Sequence, residues 1–240
     1  MSPHILKIIT TNQKNVDNIL KEENHVYTFL NPVSYLIALD NKELFKQFDG
    51  IFADGSLLVA AIKSMYGTKV TRRSFDMTSL APQLFQYAEN NGKTIYIVAS
   101  KQEETEKAIE IFKERYPNLK FAGYRNGYFS NEEEQDKEAA YITQLNPDFL
   151  IVGMGALMQE KFLLKVKKAG YQGIGFTCGG FIHQTSKNEI DYYPKWIDNL
   201  NLRFIYRMYK EKHTRKRYLT AAFIFPIRFI AERFSKQQSQ

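Results

Sequence analysis

One cysteine and one tryptophan in 240 residues are notable scarcities. A lone thiol, Cys178, rules out an internal disulfide framework and a cysteine-based zinc site, and it suits a reducing compartment. No run approaches the roughly 18–20 consecutive apolar residues that a membrane-spanning helix needs. The first ten residues lack the uninterrupted apolar stretch of a secretory signal. No Asp-x-Asp pair or His/Cys cluster offers a divalent cation a site, and no Gly-x-Gly-x-x-Gly follows a strand-like run. Repeats, low-complexity tracts and flexible linkers are absent too.

What is present is ordinary in amount and uneven in placement. Hydrophobic residues make up 44% and charged residues 25%, as in soluble globular chains, and the length suits one large domain or a core with an appendage. The net charge is +7, yet residues 203–240 hold ten Lys/Arg against two Asp/Glu, a balance of +8 that leaves −1 for the other 202. The basic character therefore belongs to a tail, in which aromatics interleave with Lys/Arg and glycine disappears after Trp196. Such a tail points to an anionic partner: membrane headgroups, a phosphorylated ligand or nucleic acid.

Periodicity predicts strands at residues 5–9, 25–30, 50–53, 94–99, 119–122, 148–152 and 173–177, with a further strand-like run at 68–71. Helical patterns fall at 32–48, 56–66, 76–91, 103–116, 131–145 and 158–169. Asn91-Gly92 and Tyr116-Pro117-Asn118 punctuate helix ends, and Ser130 reads as an N-cap before a turn of carboxylates. Strand–helix alternation implies an α/β fold, a Rossmann-like and mostly parallel sheet with helices on both faces. The polar end, residues 235–240, reads as disordered.

Candidate chemistry lies where strands end, because ligands in open α/β sheets bind beyond the carboxyl ends of the strands. Asp54-Gly55 follows the apolar run 50–53, and serves equally as a turn or a helix cap. Asn31 precedes Pro32 and is either a ligand contact or an N-cap. Arg72 and Arg73 are suited to anionic groups of a ligand, or form a surface pair with Asp76 capping the next helix. Gly153-Met154-Gly155 leads to Gln159-Glu160 at a helix start, where backbone N–H groups attract phosphate. Gly179-Gly180 form a second glycine turn, suited to an anion-holding nest, and His183 just beyond is a diphosphate donor or a structural histidine.

Eight short motifs stand in order. They are Asn31-Pro32, Ala53-Asp54-Gly55, Arg72-Arg73 with Asp76, Gly127-Tyr128-Phe129, Gln159-Glu160, Gly179-Gly180, Pro194-Lys195-Trp196, and Tyr206-Arg207 leading to Arg215-Lys216-Arg217-Tyr218. The series, spanning about residues 25–218, resembles the WecG/TagA/CpsF family of bacterial glycosyltransferases. The resemblance implies an inverting transferase that needs no metal and no cofactor. It would move a sugar from a UDP-sugar donor to a lipid-linked (undecaprenyl-diphosphate) saccharide acceptor in the synthesis of teichoic acid, capsule or exopolysaccharide. It also implies a Rossmann-like core of the type called GT-E, residues 1–195, and a C-terminal basic amphipathic helical appendage, residues 196–240, that binds an anionic membrane surface. The protein would then sit on the cytoplasmic face of the plasma membrane without a nucleic-acid partner, with a homo-oligomer left open.

By the same resemblance Asp54 is the catalytic base, and Thr28, Asn31, Gln159 and Glu160 bind substrate. Arg207, Arg215 and Arg217 match arginines that would stabilise the leaving diphosphate. The chain departs from the family pattern at several points. Thr28 stands one residue off the usual threonine, an offset that turns a side chain to the other strand face. Phe75 replaces a glycine, Leu157 a proline, and His183-Gln184 stand where an aspartate is common. Arg203-Phe204 stand where Glu-Trp is common, which makes the tail more basic. Two other readings stay open: an oxidoreductase, weakened by the missing glycine fingerprint, and a non-enzymatic membrane- or nucleic-acid-binding module, which leaves Asp54 and the glycine turns unexplained.

Overall fold

The apolar runs become strands because all but the run at the far sheet edge, residues 120–125, are buried on both faces. In the computed structural model, which describes residues 1–188, 197, 203–210 and 215–235, six strands form: β1 Val26–Leu30, β2 Gly50–Ala53, β3 Thr94–Ala99, β4 Lys120–Arg125, β5 Phe149–Gly153 and β6 Ile174–Thr177. The helices before and between them are α1 Pro3–Gln13, α2 Val16–Ile19, α3 Pro32–Asp40, α4 Lys42–Phe45, α5 Ser56–Tyr66, α6 Leu80–Asn90, α7 Gln102–Arg115, α8 Glu132–Leu145 and α9 Met158–Lys168. After β6 come α10 Phe181–Asn188, α11 Arg203–Lys210 and α12 Arg215–Ser235.

The sheet has the order β2-β1-β6-β5-β3-β4, and every pairing is parallel. Parallel sheets need cover on both faces, and alternation along each strand supplies two cores. Leu150 and Val152 point into one with Ile5, Ile8, Leu163 and Phe162. Phe149 and Ile151 point into the other with Leu84, Phe85, Phe112 and Phe176. The register pairs Leu30 with Ala53, Ala99 with Gly153 and Val152 with Thr177. The carboxyl ends of five strands are thus level, and Asn31, Asp54, Ser100, Met154 and Cys178 all leave the sheet along one edge.

Several sequence expectations fail for local reasons. Residues 5–9 belong to α1 and not to a strand: Ile5, Ile8 and Ile9 lie three and four apart on one buried helical face, and Pro3 is pre-set for the first turn. The run 68–71 joins no ladder, because the Asn12 side chain brackets Thr71, donating to its carbonyl and accepting its N–H, both at 2.9 Å. Asn131, not Ser130, caps α8, accepting from the Glu134 N–H at 2.9 Å. Asp76 is outside α6, which starts at Leu80, and the helical pattern of 32–48 divides at Asn41 into α3 and α4. Pro194-Lys195-Trp196, the 195/196 boundary and residues 236–240 lie outside the described residues.

The tail helix is part of the packing. α12 runs 21 residues, with Pro226 inside it, and lays Phe225 and Phe229 against Tyr35 of α3 at ring separations of 5.6 and 5.4 Å. Burying two phenylalanines contributes about 1.5–3 kcal/mol each. The exposed Arg228–Asp40 ion pair, 2.6 Å long, adds at most about 1 kcal/mol. Apolar burial dominates the docking.

Candidate active site

The level strand ends open into a cavity of about 820 Å³, walled by loops from every strand and by Arg217, Tyr218, Ala221 and Ala222 of α12. Asp54 lies at its β2 end. Its peptide N–H continues the ladder to the Leu30 carbonyl at 2.8 Å, and Gly55, at φ 98°, turns the chain and takes the N-cap place of α5. The cap reading of Asp54 thereby loses its position. Arg72 reaches across, with Nη2 3.6 Å from Asp54 Oδ1 and 3.7 Å from Asp76 Oδ2, and donates to Ser74 Oγ at 2.9 Å. One cation is thus held between two carboxylates at the cavity wall.

Arg73 faces away from the cavity. Its guanidinium lies 5.9 Å from the centre of the Phe52 ring, and Nη1 is buried without a hydrogen bond. Burial pulls its pKa below the ordinary guanidinium value. Asn31 does both jobs: it lines the cavity, and its Oδ1 caps α3 by accepting from Val33 and Ser34 N–H at 3.0 and 3.1 Å. Ser34 Oγ returns the bond by accepting from the Asn31 N–H at 2.9 Å, a capping box.

Thr28, Gln159 and Glu160 form a buried network under the cavity floor. Thr28 Oγ1 donates to Glu160 Oε1 at 3.0 Å and lies 2.9 Å from Thr177 Oγ1. Gln159 donates to the same carboxylate at 2.8 Å and accepts from the Gly179 N–H at 3.0 Å. Glu160 Oε2 accepts from the Leu157 N–H at 2.6 Å. Burial raises the Glu160 carboxyl above the usual range, against the donors that favour its charge. Thr28 and Glu160 are fully buried and do not line the cavity, whereas Gln159 does. The network fixes the two glycine turns relative to each other. Leu157 is held at φ 73°, a conformation closed to the proline that the resemblance leads one to expect there.

The second glycine turn asks for glycine by its backbone angle at Gly179, and the strand end beneath it asks for glycine by space. Gly179 sits at φ 57°, and a Cβ on Gly153 beneath it would meet Cys178 Sγ at 2.7 Å and the Gly179 carbonyl at 2.9 Å. Gly179 and Gly180 both line the cavity. Burial pushes the Cys178 thiol up to about 12, so it stays protonated and inert. His183 follows, its Nδ1 2.8 Å from Glu104 Oε1.

Glu104, Ser100 and Tyr128 also line the cavity and had no role in the sequence reading. Glu104 looked like an ordinary first-turn acid of a helix, and 79 residues separate it from His183. Tyr128 did stand within the Gly127-Tyr128-Phe129 motif. Its loop is clamped by Arg125, which donates to the Asn126 and Tyr128 carbonyls at 3.0 and 3.1 Å and covers Phe129 at 3.9 Å. Of the three tail arginines, Arg217 is at the cavity, while Arg215 donates to the Met208 carbonyl at 2.8 Å and ties α12 to α11. The Arg207 side chain lies outside the described residues.

A galactosyltransferase of Shigella boydii, named UDP-Gal:alpha-D-GlcNAc-diphosphoundecaprenol beta-1,4-galactosyltransferase, is 35% identical over 216 residues, 90% of each chain. An N-acetylglucosaminyldiphosphoundecaprenol N-acetyl-beta-D-mannosaminyltransferase of Bacillus subtilis (strain 168) is 28% identical over 138 residues, 58% of this chain and 52% of the relative. A Staphylococcus aureus enzyme of the same name is 26% identical over 169 residues, 69% and 63% of the two chains. The profile described as "Glycosyl transferase WecG/TagA/CpsF family" matches residues 6–239, and the chain, a glycosyltransferase, belongs to that family.

Proposed function

We propose that the protein transfers a hexose from a UDP-sugar, with UDP-galactose the first candidate, to an N-acetylglucosaminyl-diphosphoundecaprenol acceptor, inverting the anomeric centre without a metal. The observation that carries this reading is the single cavity that brings Asp54 and Arg72, the Gly179-Gly180 turn and Arg217 together. All three relatives are named for an acceptor of N-acetylglucosamine on diphosphoundecaprenol, while their donor sugars differ. Each is named for a β product, and UDP-galactose carries an α linkage, which supports inversion. Asp54 takes the proton of the acceptor hydroxyl as its oxygen attacks the anomeric carbon. The bond from that carbon to the diphosphate breaks, and UDP leaves.

In this reading the leaving charge falls on Arg72, Arg217 and the Gly180 N–H, since the Gly179 N–H is engaged by Gln159. Sheet order gives the donor a direction. Asp54 follows β2 at one edge, Gly179 follows β6 two strands in, and Tyr128 follows β4 at the far edge, about 24 Å away at roughly 4.8 Å per strand. The sugar therefore lies at Asp54, the diphosphate over the glycine turn, and the base toward Ser100, Glu104, His183 and Tyr128. In this reading Thr28 and Glu160 position the turn and do not touch substrate.

The outer face of α12 carries Leu219, Phe223, Ile227, Ile230 and Phe234, all exposed and three or four residues apart, with Arg215, Arg217 and Arg233 near its ends. Such a stripe suits an anionic bilayer surface, and no described helix is long and apolar enough to cross one. The stripe supports a peripheral position on the cytoplasmic face of the plasma membrane, with residues 196–240 as a membrane appendage that also lends Arg217 to the cavity of the 1–195 core. Incubation with UDP-galactose, UDP-N-acetylmannosamine or UDP-glucose and a lipid-diphosphate-linked N-acetylglucosamine tests the reading. A β-linked galactosyl disaccharide, identified by its anomeric coupling, is expected; an α-linked product or no transfer from any UDP-sugar overturns it.

A further inference from the structure

Glu232 is a buried carboxylate near the far end of α12 from the cavity, and three separate elements converge on it. Ser2, just before α1, donates to its Oε1 at 2.8 Å, and Tyr35 of α3 donates to its Oε2 at 3.1 Å. Lys42, which opens α4, brings its Nζ to 3.4 Å from Oε1. The Glu232 charge also reaches Tyr66 of α5 and His4 of α1; Tyr66 is held above its ordinary pKa and His4 below, each chiefly by burial. Arg233 beside it covers the Tyr66 ring at 5.3 Å. Apolar burial of Phe225 and Phe229 sticks the helix to the core without choosing its register, because such contacts are non-directional. A carboxylate with three directed partners does choose one.

Register matters at the other end. Fifteen positions separate Glu232 from Arg217, about 22 Å along a helix, and a slip of one turn would move Arg217 about 5.4 Å relative to the cavity. Pro226 between them removes the bond to the residue 222 carbonyl, yet the helix runs unbroken from Arg215 to Ser235, so the register set at Glu232 carries through to Arg217. We propose that Glu232 is a positioning residue: the Glu232–Ser2–Tyr35–Lys42 latch fixes α12 in the one register that places Arg217 and Tyr218 at the cavity, and it does so without a membrane.

The proposal rests on the reading of α12 as a wall of the donor site, and the test separates the two. Glu232→Ala, Glu232→Gln and Tyr35→Phe are compared with Arg217→Ala using a short water-soluble acceptor and no lipid. Expected are a rise of about tenfold in KM for the UDP-sugar in Glu232→Ala, partial retention in Glu232→Gln, and faster trypsin cleavage after Arg215 and Arg217. The Glu232→Ala/Arg217→Ala double variant is expected to be no worse than Arg217→Ala alone, since the latch acts through that arginine. Multiplying effects in the double variant, or transfer and cleavage within twofold of the parent for all three latch variants, overturn the latch. A silent Arg217→Ala overturns instead the wall reading on which it rests. Should Glu232→Ala fail to fold, Glu232→Gln and Tyr35→Phe carry the same comparison.

Discussion

Asp54 stands where a strand-end carboxylate meets an arginine held by other partners, and this makes its role separable from folding. Asp54→Asn keeps the shape and loses the basicity. A fall in turnover of about 10²–10⁴-fold is expected, with UDP affinity by calorimetry nearly unchanged; a variant retaining half its activity would remove Asp54 as the base. Glu160 gives a prediction of the opposite kind, in stability. Its carboxyl is raised by burial, so the folded chain holds that proton more tightly than the unfolded chain does. Stability from this group is therefore fully present below the ordinary carboxylate range and declines as pH rises through the folded value. Glu160→Gln should flatten that slope in urea unfolding between pH 4.5 and 8, at a pH-independent cost of about 1–3 kcal/mol for the acceptor lost to the Leu157 N–H. An unchanged slope would mean the carboxylate stays charged in the fold.

Among the elements, α12 has two faces with different jobs. Its inner residues, Ala221, Phe225, Phe229 and Glu232, are buried, while Phe223 and Ile227 are 75% and 70% exposed. Deleting the tail would therefore uncover Tyr35 and confuse anchoring with stability. Substituting both outer residues, Phe223→Ser with Ile227→Ser, is the cleaner experiment. Liposome affinity should drop at least tenfold, since each large apolar side chain is worth about 1.5–3 kcal/mol when buried. The rate with a soluble acceptor and the unfolding midpoint should stay as they were. A matching loss of soluble activity would show that the outer face also serves the cavity.

Over the whole molecule, charge is divided between a nearly neutral core and a tail of balance +8. Basic residues near an anionic surface contribute roughly 1 kcal/mol each and are screened within about 10 Å at 0.1 M salt. Raising salt from 50 to 500 mM should therefore weaken sedimentation with anionic vesicles strongly while hardly changing transfer to the soluble acceptor. Equal salt sensitivity of both would place the electrostatic contribution at the substrate and not at the membrane. EDTA should leave both unaffected, and restoration of an EDTA-abolished activity by magnesium would contradict the metal-free assignment.

The α/β class, the six strands of the described residues and the position of Asp54 at a strand end were legible because each depends on neighbours in sequence. A short buried strand is a local apolar run, and a glycine turn is a local backbone need. The same locality explains the errors: residues 5–9 are as apolar as a strand, and Pro3 with the spacing of Ile5, Ile8 and Ile9 marked them as helix. The motif series carried the family, and with it Asn31, Arg72, Gln159, Gly179, Gly180 and Arg217, all of which do line one cavity, as does His183, where the chain departs from the family pattern. Tertiary structure alone decided that Thr28 and Glu160 lie beneath the floor, that Arg73 turns away, that Glu104 meets His183, and that Glu232 meets Ser2 across 230 positions. Those pairings depend on which chain segments the parallel crossovers bring together, and no periodicity within a segment records its distant partner.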